Sequence, residues 1–185
     1  MPPAASGFIE ATATYLEMCA PPARPPVPPP APDLAVVREN RPSVPLYRRL
    51  YEAVGGPWGW TERSALSDRQ LAAIITDPLV EVHVLWRAGV PVGFAELDRR
   101  RPPEIALAYL GLVPEVIGRG LGRFLIDRAV AAAWRHDPKR LWLHTCTLDH
   151  PRALDLYLEA GFRPFLRRVE RVELPATAMP TRRKA

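Results

Sequence analysis

A chain of 185 residues, 48% of them hydrophobic, can bury one full core but is too short for two ordinary domains and a linker. No run approaches the roughly 20 apolar residues of a membrane span, and the N-terminus lacks a basic stretch followed by an apolar one, so a cytoplasmic chain with no membrane attachment is expected. The formal charge of +5 gathers in short clusters, Arg99-Arg100-Arg101, Arg167-Arg168-Arg171 and Arg182-Arg183-Lys184, with no recognition helix or aromatic RNA platform, which points to a solvated basic surface and no specific nucleic-acid partner.

Proline dominates the first 45 residues, and the run at 20–32 forms neither helix nor interior strand, so an extended surface connector is expected there. Ahead of it, Ile9, Ala11, Ala13 and Tyr15 alternate with polar residues and predict a short strand at about 8–18. Leu34-Ala35-Val36-Val37 predicts another. Ser43 then opens a helix with Tyr47, Leu50 and Val54 on one face, ended by Gly55-Gly56. Ser67 and Gln70 form a capping box for a second helix, whose apolar stripe is Leu71, Ile74 and Ile75. The loop between these helices carries Trp58 and Trp60, which either wall a pocket or cap the core. Val80 to Trp86 alternates, turns at Arg87-Ala88-Gly89 and returns as Pro91 to Asp98, a hairpin. Cys19 and Cys146 make no disulfide framework, and no Cys/His cluster has zinc spacing, so no metal site is expected.

The most informative stretch is Glu104 to Trp134. A β-forming run, Ile105 to Val113, stops at Pro114, passes through Gly118-Arg119-Gly120-Leu121-Gly122, and enters a segment with Leu121, Leu125, Ala129 and Ala132 at helical spacing. A glycine turn at a helix N-terminus exposes unpaired N–H groups at the positive end of the helix dipole, a natural seat for phosphate. Arg123 occupies the third glycine position of a dinucleotide fingerprint, and no acidic residue follows at the required distance. Arg123-Phe124 also stands where a mononucleotide loop needs Lys-Ser or Lys-Thr. A strand at Arg140 to Cys146 follows, then a helix opened by Asp149-His150-Pro151 and closed by Gly161, and a last strand at about 164–173.

The loop resembles the acetyl-CoA loop of the GNAT N-acetyltransferase superfamily: Gly120 and Gly122 match, preceded by Leu110-Gly111-Leu112-Val113-Pro114-Glu115. Ile117 stands where that family usually has Gln or Arg. A second match follows in His150-Pro151-Arg152-Ala153, Leu156-Tyr157 and Gly161-Phe162, with His150 in place of the family's Asn. The resemblance implies an α+β fold with a mixed, mostly antiparallel sheet and helices on both faces. It divides the chain into a proline-rich extension at 1–33 carrying a candidate short strand, a GNAT-like domain at 34–174, and a basic tail at 175–185.

Transfer of an acetyl group from acetyl-CoA to a primary amine, by direct attack in a ternary complex, is the implied activity. The acceptor is a small molecule or peptide, and the chain a monomer or homodimer. The same resemblance implies that Leu110, Gly111 and Leu112 run along the pantetheine arm. It places the diphosphate on residues Gly118, Arg119, Gly120, Leu121, Gly122 and Arg123, with His150 nearby, and casts Tyr157 as the acid that protonates the departing thiolate. For the base, His144, Glu96, Glu104 and an ordered water are the alternatives; Ala106 stands where other members carry a Glu. A different class of function, a domain that binds acyl-CoA and senses it without turnover, is motivated by Ile117 and His150.

Overall fold

The computed structural model describes residues 7–174, so the expected basic tail lies outside the described residues. In chain order the elements are β1 (Gly7–Met18), β2 (Leu34–Glu39), α1 (Val44–Gly55), α2 (Asp68–Ile75), β3 (Val80–Arg87), β4 (Val90–Arg101), β5 (Glu104–Leu112), α3 (Leu121–Trp134), β6 (Arg140–Cys146), α4 (Ala153–Ala160) and β7 (Arg163–Leu174). Local chemistry sets several of these boundaries. The Ser43 hydroxyl accepts from the Leu46 N–H to start α1, and the full Ser67/Gln70 capping box starts α2, each satisfying helix N–H groups that would otherwise lack partners. Gly161, at φ 106°, takes the left-handed conformation that ends α4.

The seven strands form one sheet in the order β2-β3-β4-β5-β6-β1-β7. All neighbours are antiparallel except β5 and β6, which α3 joins as a parallel crossover. The strand expected within the N-terminal extension is therefore interior: β1 lies between β6 and β7, with Tyr15 facing His144 on one side and Leu166 on the other. Its residues Ala11, Ala13, Leu16 and Met18 are buried.

Helices cover the two faces unequally. On one, α1 and α2 bury Tyr47, Leu50, Val54, Leu71 and Ile75 against Val82, Val84 and Phe94 of β3 and β4. On the other, α3 and α4 bury Leu125, Ile126, Ala129 and Tyr157 against Leu16, Leu97, Leu107 and Leu141. A buried aliphatic or aromatic side chain contributes about 1.5–3 kcal/mol, so the two clusters dominate stability. The polar alternates of β3 do not reach solvent as a one-faced strand would require: Glu81 and His83 are buried. His136, just beyond α3, and Arg99 and Arg38 of the flanking strands close over them and supply the partners that make this tolerable.

The connector at 19–33 is fastened across α3. Arg24 makes a two-pronged pair with Asp127, both contacts at 2.7 Å, while Val27 donates its N–H to the same carboxylate and packs on the core with Ala31. β5 pairs with β4 as far as Leu112 but with β6 only from Glu104 to Ala106. Beyond that point the two strands part, and the functional cavity lies in the opening.

Candidate active site

Where β5 and β6 diverge, a cavity of about 580 Å³ is walled by Leu107–Leu112 of β5, the glycine turn before α3, one side of α4, and the loop that follows α1. Because β5 has no ladder partner on this side beyond Ala106, its main-chain groups are free to pair with an extended ligand. Gly111 lets the wall close. A Cβ there would stand 2.3 Å from Val54 Cγ1, so a larger residue would push α1 off the strand.

At the cavity's edge, Gly118 and Gly120 adopt φ of 82° and 76°, the left-handed region, and a Cβ at either would meet only open space. Glycine is thus required here by backbone shape, not by crowding. The turn leads directly into α3 with no side-chain cap. Among the described residues, the N–H groups of 118–123 have no hydrogen-bond acceptor; the nearest internal bonds are those of Ile117 and Phe124. Six consecutive donors, reinforced by the helix dipole, make a strong anion cradle.

Tyr157, on α4, is only 8% exposed, lines this cavity, and its hydroxyl has no partner among the described residues. Burial, with the charge of Asp149 adding to it, pushes its ionisation above the usual range of a phenol. It stays protonated at neutral pH and is a donor. Cys146 also faces the cavity, and burial together with the Asp149 carboxylate pushes its thiol up, which disfavours the nucleophilic thiolate.

Of the expected site residues, Leu110, Gly111, Leu112, Gly118, Gly120, Gly122, Arg123, His144, His150 and Tyr157 line the cavity. Four do not. Leu121 points into the core at 4% exposure, as the first apolar residue of α3 must. Arg119 is exposed and its side chain does not line the cavity. Glu96 is fully buried under α1, where the Tyr47 hydroxyl donates to it at 2.5 Å and Arg63 pairs with it at 2.6 Å, so its carboxylate is engaged within the fold and does not line the cavity. Glu104 sits at the opposite end of β5, held with Glu17 by Arg140. Neither glutamate lines the cavity: Glu104 lies at the far end of β5, and Glu96, although level with Tyr109, turns its side chain under α1 to Tyr47 and Arg63.

Several cavity residues carried no motif. Trp60 settles the choice between core and pocket by doing both: it packs on Tyr51 and Phe94 and also lines the cavity, and its indole N–H donates to Asp149 at 3.2 Å. Asp149 further accepts from the Thr145 hydroxyl at 2.7 Å and the Cys146 N–H at 2.9 Å, bracing the turn between β6 and α4. Glu62, exposed at the rim, accepts from the Tyr109 hydroxyl. Trp58 sets its ring edge-on to His150, with centroids 5.2 Å apart. The only sequence signal for this group was two tryptophans in a glycine-containing loop.

A parted parallel strand pair with an amide cradle at its mouth and a tyrosine within is the arrangement that an acyltransferase fold would present. Residues 47–162 match the family model described as the acetyltransferase (GNAT) family, and the chain belongs to that family. It is 38% identical over 79 residues to a mycothiol acetyltransferase of Jonesia denitrificans, a match covering 42% of this chain and a quarter of that protein. Its fold is similar to that of a GNAT-family acetyltransferase from Novosphingobium aromaticivorans (TM-score 0.61, 20% identity, 91% of this chain and 67% of that one). It is also similar to a GCN5-related N-acetyltransferase from Kribbella flavida (TM-score 0.62, 17% identity, 91% and 60%). Acyl transfer is the chemistry that family membership carries.

Proposed function

We propose that this chain transfers an acetyl group from acetyl-CoA to a primary amine by direct attack within a ternary complex. The observation that carries the proposal is the run of unpartnered N–H groups at 118–123, of which Gly118, Gly120, Gly122 and Arg123 line the same cavity as the unpartnered Tyr157 hydroxyl. Residues 118–123 bind the diphosphate, assisted by Arg123 and Arg152, and the free edge of Leu107–Leu112 pairs with the pantetheine amides. The amine nitrogen forms a bond to the thioester carbonyl carbon, the C–S bond breaks, and the Tyr157 hydroxyl gives its proton to the departing sulfur. His144, exposed on β6 and facing the cavity, takes the proton released by the amine. No covalent acetyl-enzyme is required, in keeping with the unreactive state of Cys146.

Tyr157→Phe is the test. General acid catalysis is worth roughly 10²–10⁴-fold, so thiol release in a coupled assay should fall by about that factor while CoA affinity, measured by calorimetry, stays within about twofold. Full activity in the variant would remove Tyr157 from the chemistry. CoA binding without thiol release across a broad amine panel would instead favour a sensor that binds acyl-CoA and does not turn it over.

A further inference from the structure

Around the cavity, the charges divide. Its arginines, Arg123 and Arg152, belong to α3 and the entry to α4, and Arg123 is already shared between Asp127 at 3.3 Å and Glu159 at 3.4 Å. The loop after α1 and the β6–α4 turn instead present two carboxylates, Glu62 and Asp149, and neither has an ion-pair partner among the described residues. What donates to them is neutral: the Tyr109 hydroxyl to Glu62, and the Trp60 indole, Thr145 hydroxyl and Cys146 N–H to Asp149.

These two carboxylates are joined by aromatic surface. Trp60 and Tyr109, the donors to one acid each, have ring centroids 5.2 Å apart, and both line the cavity. Trp58 and His150 extend the same wall. Tyr157, 8% exposed as a residue, lines the same cavity with a hydroxyl that has no partner among the described residues. Arg63 already lies over the Tyr109 ring, 5.1 Å from its centroid, so the elements that favour an organic cation are the two carboxylates without ion-pair partners and the Trp58 and Trp60 rings, which attract it by Coulomb and cation–π forces and disfavour a ligand carrying its own carboxylate.

Resting on the acetyltransferase reading above, we infer that the acceptor is a cationic amine with an apolar or aromatic body and no acidic group, selected by Glu62 and Asp149 against the Trp58–Trp60–Tyr109 wall. Glu62 is the more informative of the pair, because Asp149 also braces the turn while Glu62 stands exposed on the rim. Its role is specificity: it draws in and orients the ammonium, and His144 handles the proton.

Three amines separate the alternatives in a thiol-release assay: 2-phenylethylamine, phenylalanine with the same body plus a carboxylate, and ethanolamine with the same charge but no apolar body. The expected order places 2-phenylethylamine at least tenfold ahead of both in kcat/KM. Glu62→Gln should raise its KM by about tenfold, with kcat and CoA affinity little changed. A parallel titration of tryptophan fluorescence in the CoA-bound protein reads amine binding without turnover. Equal or better use of phenylalanine, or an unchanged KM in Glu62→Gln, would overturn the inference while leaving acetyl transfer standing. Fluorescence changes with 2-phenylethylamine and not with phenylalanine, in a protein that releases no thiol, would uphold the cation pocket and sink the transferase reading.

Discussion

Single residues carry unequal burdens in this molecule, and the glycines show why. Gly118 and Gly120 are fixed by backbone conformation, whereas Gly111 is fixed by what packs over it: Val54 of α1 occupies the volume a side chain would need. Gly111→Ala should therefore lower stability by the roughly 1–3 kcal/mol typical of overpacking, visible as a drop in the midpoint of thermal unfolding. CoA affinity should fall with it, since the displaced helix would drag the Trp58–Trp60 loop. An unaltered midpoint would mean that Val54 can turn aside without cost. The conformational glycines announced themselves in the sequence as a turn; the packing reason for Gly111 did not, because it lies on a helix more than 50 residues away in the chain.

At the scale of elements, α3 is the component that two separate parts of the chain lean on. Its N-terminal turn forms the anion cradle, and one helical turn later Asp127 anchors the connector through Arg24 and Val27 while also holding Arg123. Arg24 lowers the ionisation of that carboxylate, against a burial effect that alone would raise it. Arg24→Ala should destabilise the protein by about 1–2 kcal/mol, less than a fully buried pair because the arginine side chain is 36% exposed and partly screened. The freed Asp127 would then hold Arg123 more tightly, so CoA affinity should weaken modestly. Chemical denaturation and calorimetry check the two effects separately, and a variant as stable as the parent would mean that the connector contributes no net energy through this contact.

For the whole molecule, part of the basic charge among the described residues is engaged within the fold while the rest stands exposed. Arg99 bonds Glu81, His136 and the Pro78 carbonyl, Arg100 pairs with Asp98, and Arg168 and Arg171 lie over the rings of Tyr15 and Phe8. Glu81 is the hub that ties β2, β3, β4 and the end of α3 together. Burial by itself would raise its ionisation, but the His83 N–H and the charges of Arg38 and His136 outweigh that and lower it to about 2. A carboxylate depressed in the folded state contributes stability above its unfolded value, and that contribution drains away as pH falls through the folded one. The unfolding midpoint should decline between about pH 5 and pH 2, and Glu81→Gln should flatten that decline while lowering the midpoint at pH 7. Equal pH slopes in the two proteins would show that Glu81 is not the group responsible.

By itself the sequence determined what short-range chemistry controls: the capped starts of α1 and α2, the β3–β4 hairpin, the glycine turn ahead of α3, and the order of elements that placed the chain with the GNAT fold. Those features depend on a few neighbouring residues, whose hydrogen bonds and backbone angles are written locally. Only the tertiary structure decided that β1 lies inside the sheet, that β5 and β6 part after Ala106, that Glu96 and Glu104 are paired with arginines and do not line the cavity, and that Glu62 and Asp149 face it. Each of these turns on which strands pair and where they cease to, a competition among surfaces distant in the chain that no local pattern encodes.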